Sequence, residues 1–158
     1  ERTLMPVRKL KEFLDSHKIK YVVISHSPAY TAMEVAQSAH IPGKDLAKVV
    51  MVMLEGRTCM AVMPATRKLD LERLRQAADA SEARLATEDE FRKLFPECET
   101  GAMPPFGNLY GMEVFVSSQL TEDREIAFNA GSHTELMKLH YSDFERLVQP
   151  KVVAFVQR

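Results

Sequence analysis

Three stretches of this 158-residue chain combine residue types that could do chemistry. Lys48 is the one charge in the apolar run Leu46-Ala-Lys-Val-Val-Met-Val-Met-Leu54. An ammonium there either snorkels to solvent on its methylene stem or points into a cleft, where partial desolvation strengthens its field. Gly131-Ser132-His133 directly follows a strand-like run. At such a place the backbone can turn sharply and offer N–H groups beside an imidazole, a layout for polarising a carbonyl; the alternative is a surface or capping histidine. Gly101-Ala-Met-Pro-Pro-Phe-Gly107 is stiffened by Pro104 and Pro105, and its flanking glycines permit turns and close backbone approach. Its apolar Met103 and Phe106 need a partner surface. The stretch is therefore either a helix-to-strand connection or one wall of a binding site.

Several other chemistries lack their residues. The five histidines form no HExxH and the two cysteines no CxxC, so a zinc site is missing its ligand spacing. GxSxG, P-loop and dinucleotide fingerprints are absent, which argues against elbow-type serine hydrolases and nucleotide-dependent enzymes. Cys59 lies inside an apolar run and reads as core, and Cys98 has no motif that marks a nucleophile. Two distant cysteines suit reduced thiols in a cytoplasmic setting. A net charge of −1 supplies no global basic field, so a polyanionic partner must meet a local patch, and long DNA is not expected. The candidate patches are Arg67-Lys68 with Arg73 and Arg75, or Arg8, Lys9 and Lys11; both read equally well as solvated helix faces. No apolar run approaches the ~18 residues of a membrane span. The chain opens on Glu1 rather than Met, so a preceding leader is compatible with it.

The elements that must position these residues follow from periodicity. Pro6, Val7, Leu10, Phe13 and Leu14 predict an amphipathic helix to about His17. Tyr21 to Ile24 is a short strand ending at His26-Ser27-Pro28, and Thr31-Ala-Met-Glu34 is a capping box opening a helix. The junction carrying His26, Tyr30 and Thr31 therefore presents polar groups and helix N–H donors at one end of a sheet, suited to an anion or a carbonyl oxygen. Leu46–Leu54 and Cys59–Met63 predict a hairpin turning at Gly56-Arg57. Asp70 and Thr87-Glu-Asp-Glu90 start two further helices, the second stopping before Pro96. Strands are expected at 113–116, 125–129 and 152–155, and a helix over 141–148. The charged stretch Asp79 to Arg92 reads as solvated surface. The order is mixed rather than a regular βαβα alternation. The expected fold is α+β, one domain over residues 1–158, with a mixed sheet of about six or seven strands surrounded by helices.

His26-Ser-Pro, the capping box with Glu34, Lys48, Gly101 to Gly107 and Asn129-Ala-Gly-Ser-His133 stand in the order and approximate spacing of the YbaK/prolyl-tRNA synthetase-associated domain family, which the chain resembles from about Leu10 to Phe155. That family hydrolyses mischarged aminoacyl-tRNA, and a chain without synthetase parts is similar to its free-standing members. The resemblance implies a metal-independent deacylase with no cofactor. It implies Lys48, Gly101, Gly131 and His133 as catalytic groups, and His26, Tyr30, Thr31, Pro104, Pro105, Phe106, Gly107 and Ser132 as substrate-binding ones. The implied partners are the acceptor end of mischarged tRNA and an aminoacyl-tRNA synthetase. In alanine-specific members an asparagine usually follows the lysine; here Val49 does, which puts alanyl specificity in doubt.

The chemistry of the residues agrees with that expectation. An aminoacyl ester is already activated, so its hydrolysis needs a positioned water, a polarised carbonyl and a pocket that excludes large side chains. Lys48 would stabilise developing charge, the Gly101 and Gly131 N–H groups would form oxyanion contacts, and the base could be a ribose hydroxyl of the tRNA itself. Two other readings stay open: a noncatalytic tRNA-binding or synthetase-associated module, and a hydrolase or binder of free amino-acid derivatives.

Overall fold

A computed structural model describes residues 8–158. In chain order these form α1 (Arg8–Ser16), β1 (Tyr21–Ser25), α2 (Ala32–Ser38), β2 (Leu46–Leu54), β3 (Arg57–Pro64), α3 (Leu71–Ala77) and β4 (Ala83–Leu85). Then come α4 (Glu88–Phe91), β5 (Val114–Ser117), β6 (Glu125–Asn129), β7 (Glu135–His140), α5 (Tyr141–Val148) and β8 (Lys151–Val153). Pro6 and Val7, expected in the first helix, lie outside the described residues. One eight-stranded mixed sheet runs β1-β7-β6-β2-β3-β5-β8, with β4 added beside β2. The fold is thus a single-domain α+β structure, with two strands, β4 and β7, beyond those expected. No helix among the described residues is long and apolar enough to cross a membrane.

The β2–β3 hairpin is the spine. Its loop is Glu55-Gly56, closed by the Leu54–Arg57 pair, and both loop residues have positive φ (52° and 78°). That backbone twists with the strands, and a glycine makes it accessible at the second position. The strands either side of the Leu120–Arg124 turn do not pair: β5 joins β3 and β8 in parallel, whereas β6 joins β2 in parallel and β7 antiparallel.

Side-chain alternation gives the sheet two covered faces. On one, α1 (Leu10, Leu14), α4 (Phe91) and α5 (Phe144) pack with the inward residues of β6 and β7 around Phe106, itself fully buried. On the other, α2 contributes Val35 and Ala36 to a cluster with Leu46, Ala127 and Leu136, and α3 contributes Leu74 to a second with Val52 and Phe155.

Helix α2 has seven residues, too few to be stable alone, so its start is secured locally. The Glu34 N–H donates to Thr31 Oγ1 at 3.1 Å, and the Thr31 N–H donates back to Glu34 Oε1 at 3.1 Å. The Thr31 N–H, with the Tyr30 N–H at 3.3 Å from the same oxygen, holds the Glu34 carboxyl below the usual carboxylate range. Removing the cap with Thr31→Ala should cost about 1 kcal/mol, read as a lower urea midpoint at unchanged slope. An unchanged midpoint would mean that packing alone sets the helix start.

Candidate functional site

The site begins with which way Lys48 points. Its neighbours Ala47 and Val49 pack in the cluster around Phe106, on the α1/α5 face. Leu46 belongs to the α2 cluster and Val50 to the α3 cluster, so Lys48, between them, projects on the α2/α3 face where those two clusters part. Lys48, Val49 and Val50 are half-buried, whereas Leu46, Ala47, Met51 and Val52 are buried; the strand is uncovered for three residues there. Burial lowers the Lys48 pKa below the ordinary lysine value, and the nearby Lys68 ammonium lowers it further. Lys48 is therefore a partly desolvated charge on this face. Val49, standing where asparagine follows the lysine in alanine-specific members of the family resembled above, points to the core on the opposite face.

Beyond β6, three loops are strapped together at one end of the sheet. The Gly131 N–H donates to Ala102 O at 2.9 Å, and the Glu99 N–H to Gly131 O at 2.8 Å. From the third loop, the His26 N–H donates to Thr134 O at 2.8 Å and the Ala29 N–H to His133 O at 3.2 Å. Gly101 and Gly131 adopt φ of 90° and 101°, backbone that glycine reaches without strain. So the His26–Thr31 junction, the Gly101 loop and the Gly131–His133 segment share one rim.

His133 is the best-held group on that rim. Its N–H donates to Glu99 Oε1 at 2.6 Å, and its ring sits 4.7 Å from the Tyr30 ring, centroid to centroid. Nε2 lies 3.0 Å from Thr100 O. A carbonyl oxygen can only accept, so Nε2 carries the proton and, in the neutral ring, Nδ1 is left as an acceptor. Tyr30 is 71% exposed, an aromatic surface open to solvent beside that imidazole. Ser132 is buried, its hydroxyl within 3.2 Å of Thr134 Oγ1.

Parts of the expected site fall elsewhere. Pro104, Pro105, Phe106 and Gly107 are buried rather than lining a wall open to substrate. A Cβ on Gly107 would come within 2.9 Å of Val114 Cγ2, because this half of the loop is pressed into the core. Only Gly101 keeps an exposed position. The oxyanion assignment also shifts: the Gly131 N–H is spent on Ala102 O, while the Gly101 N–H meets only Met103 Sδ at 3.3 Å, a weak acceptor that a stronger one can displace. Thr31 acts as a helix cap. His26 uses Nδ1 on Ser27 O, leaving its Nε2 buried without a partner.

Two residues without an assigned role stand beside these groups. Glu99 fixes His133, but a glutamate in a charged, proline-flanked segment carries no local signal of that. Asn129 stands at the end of β6 on the Lys48 side, and its environment becomes visible only with the strand pairing. Among the described residues no cluster of three or more His, Cys, Asp or Glu side chains could hold a metal ion.

The basic patch at Arg67-Lys68, Arg73 and Arg75 divides. Arg73 donates to Val156 O at 2.7 Å, and Arg75 is clamped by Glu72, so both serve the fold. Arg67 and Lys68 make no ion pair with the described residues. Arg67, Thr66 and Lys44 line an open cavity of about 380 Å³ together with Glu122 and Asp123.

Residues 26–147 match the model of the aminoacyl-tRNA editing domain. The prolyl-tRNA editing protein ProX of Acetoanaerobium sticklandii is 27% identical over 143 residues, 86% of either chain. The multifunctional Ser/Thr-tRNA deacylase ProXp-y of Escherichia coli K12 is 34% identical over 98 residues, 61% of this chain and 58% of that protein. Among solved structures, the hypothetical protein APE2540 superposes with a TM-score of 0.85 at 18% identity, covering 95% of this chain and all of that one. A candidate trans-editing enzyme for prolyl-tRNA synthetase gives 0.82 at 21%, covering 99% and 100%. At these identities the structures speak for the fold.

Proposed function

Because the chain belongs to the aminoacyl-tRNA editing domain family, we propose that it is a trans-editing deacylase, hydrolysing the ester that joins a small, wrongly attached amino acid to tRNA. The observation that carries this reading is the strapping of Gly101 and His133 onto the end of β6, the strand beside the one that bears the half-buried Lys48. On this reading a cation, a loosely engaged backbone donor and an imidazole acceptor act on the same ester.

In the reaction, water adds to the ester carbonyl, the bond to the ribose oxygen breaks, and that oxygen leaves with a proton. Lys48 and the Gly101 N–H stabilise the negative charge that develops on the carbonyl oxygen. Water is held through His133 Nδ1, and the vicinal ribose hydroxyl of the terminal nucleoside accepts its proton while passing its own to the leaving ribose oxygen. Tyr30 offers that nucleoside a stacking face. Lys44, Arg67 and Lys68 supply local cationic contacts for acceptor-end phosphates, in keeping with the near-neutral net charge.

A time course with seryl-, alanyl-, threonyl- and cysteinyl-tRNA tests the reading. Release of at least one small amino acid well above spontaneous hydrolysis is expected, with a rate that falls as salt rises. Binding of tRNA without release would make the protein a noncatalytic module. Equal cleavage of an aminoacyl ester lacking the tRNA body, with no salt dependence, would make it a small-ester hydrolase.

A further inference from the structure

Strands β2 and β6 run parallel, with Leu46 opposite Ala127 and Ala47 opposite Phe128. The next step of that register places Lys48 beside Asn129. Both project on the α2 face: Leu46 and Ala127 share the α2 cluster, and Asn129 pairs across β7 with Leu136 of the same cluster. Among the described residues the Asn129 amide has no hydrogen-bond partner, and its Oδ1 is buried. A buried amide acceptor left unpaired is a standing cost, removed by any ligand that brings it a donor.

We infer that Asn129 is a specificity-determining residue of the proposed editing site, its side-chain amide pairing with the hydroxyl of a seryl or threonyl group. The inference rests on the deacylase reading for the location of the substrate. The competing donor on any aminoacyl ester is its α-ammonium. Lys48 lies next to Asn129, and Lys68 is close enough to depress the Lys48 pKa, so this face already carries two like charges. An α-ammonium placed there would be repelled, whereas a neutral hydroxyl bears no such penalty. The amide serves that hydroxyl as acceptor through Oδ1, the atom left without a partner. An alanyl group leaves the amide unpaired and is disfavoured on the same ground that any hydrogen-bonding site rejects an analogue lacking its polar group.

Two readouts test this. The first is kcat/KM for seryl- and alanyl-tRNA with wild type, Asn129→Ala and Asn129→Asp. Wild type should prefer seryl-tRNA; Asn129→Ala should lose about 10- to 100-fold on seryl-tRNA and less than about 3-fold on alanyl-tRNA, the range set by one buried hydrogen bond. Asn129→Asp, which keeps an acceptor of the same size, should retain the seryl preference. The second is the affinity of non-hydrolysable 3′-serylamino- and 3′-alanylamino-3′-deoxyadenosine, which requires no catalysis. A seryl preference that disappears in Asn129→Ala supports the inference even if no tRNA is deacylated, which would instead sink the deacylase reading. Equal losses on both amino acids, or no wild-type preference in either assay, overturn the inference while leaving deacylation standing.

Discussion

Replacing Lys48 by alanine should lower kcat/KM for deacylation by about 10²- to 10³-fold, the usual consequence of removing one group aimed at a developing oxyanion. The fold should survive. Lys48 is half-buried with a depressed pKa, so its charged form is costly in the native state, and the variant's melting temperature should hold or rise. Loss of activity with retained stability separates a chemical role from a structural one. The pH profile sharpens this. If the ammonium is the working form, activity corrected for spontaneous ester hydrolysis must fall as pH rises through the Lys48 pKa, at a lower pH than an ordinary lysine would give. Lys48→Arg, whose guanidinium stays charged, should move that limb upward even where its different shape lowers the rate. Full activity of Lys48→Ala across the tRNA panel would remove the lysine from the mechanism.

The second large effect is on stability. Phe106 is fully buried, with ring centroids 5.4 Å from Phe128, 5.4 Å from Phe144 and 6.4 Å from Phe13. Phe106→Ala should destabilise the protein by about 3–5 kcal/mol through lost transfer energy and the cavity left among these rings. Against a typical domain stability of about 5–15 kcal/mol this is a large share. Chemical denaturation reads it directly. A loss below about 1 kcal/mol would mean that the ring cluster collapses onto the gap and that the loop is not anchored there.

Both outcomes bear on what could be read before the fold was known. The capping boxes at Thr31 and Thr87, the Asp70 cap and the β2–β3 hairpin were legible because their determinants lie within a few residues of one another. Strand β7 was not. Glu-Leu-Met-Lys-Leu-His mixes polar and apolar residues on both faces, and its identity comes from β1 and β6, the former more than 100 residues away. Strand β4 hides in the charged stretch because it is three residues at a sheet edge, where Arg84 and Leu85 stay exposed. That stretch is otherwise the solvated surface expected of it, its ion pairs, such as Arg84 with Glu90, exposed or nearly so. In the Gly101–Gly107 loop the residue types were informative but their division of labour was not: the prolines and Phe106 seat the loop, and Gly101 alone faces outward. Asn129 could be quoted as part of a motif, yet its unpaired amide is a property of neighbours brought together by the sheet.

The pairing of β1 with β7 carries a consequence for the order in which the molecule is made. Tyr21 lies opposite Leu139 and Ser25 opposite Glu135, and β7 is the one ladder partner of β1 among the described residues. A nascent chain can close the β2–β3 hairpin as soon as residue 64 leaves the ribosome. The wall bearing His26 and Tyr30 has no strand to lie on until some seventy residues later. Synthesis therefore completes the lysine's strand long before the His26–Tyr30 wall can form, and a polypeptide truncated before β7 would carry Lys48 without that wall.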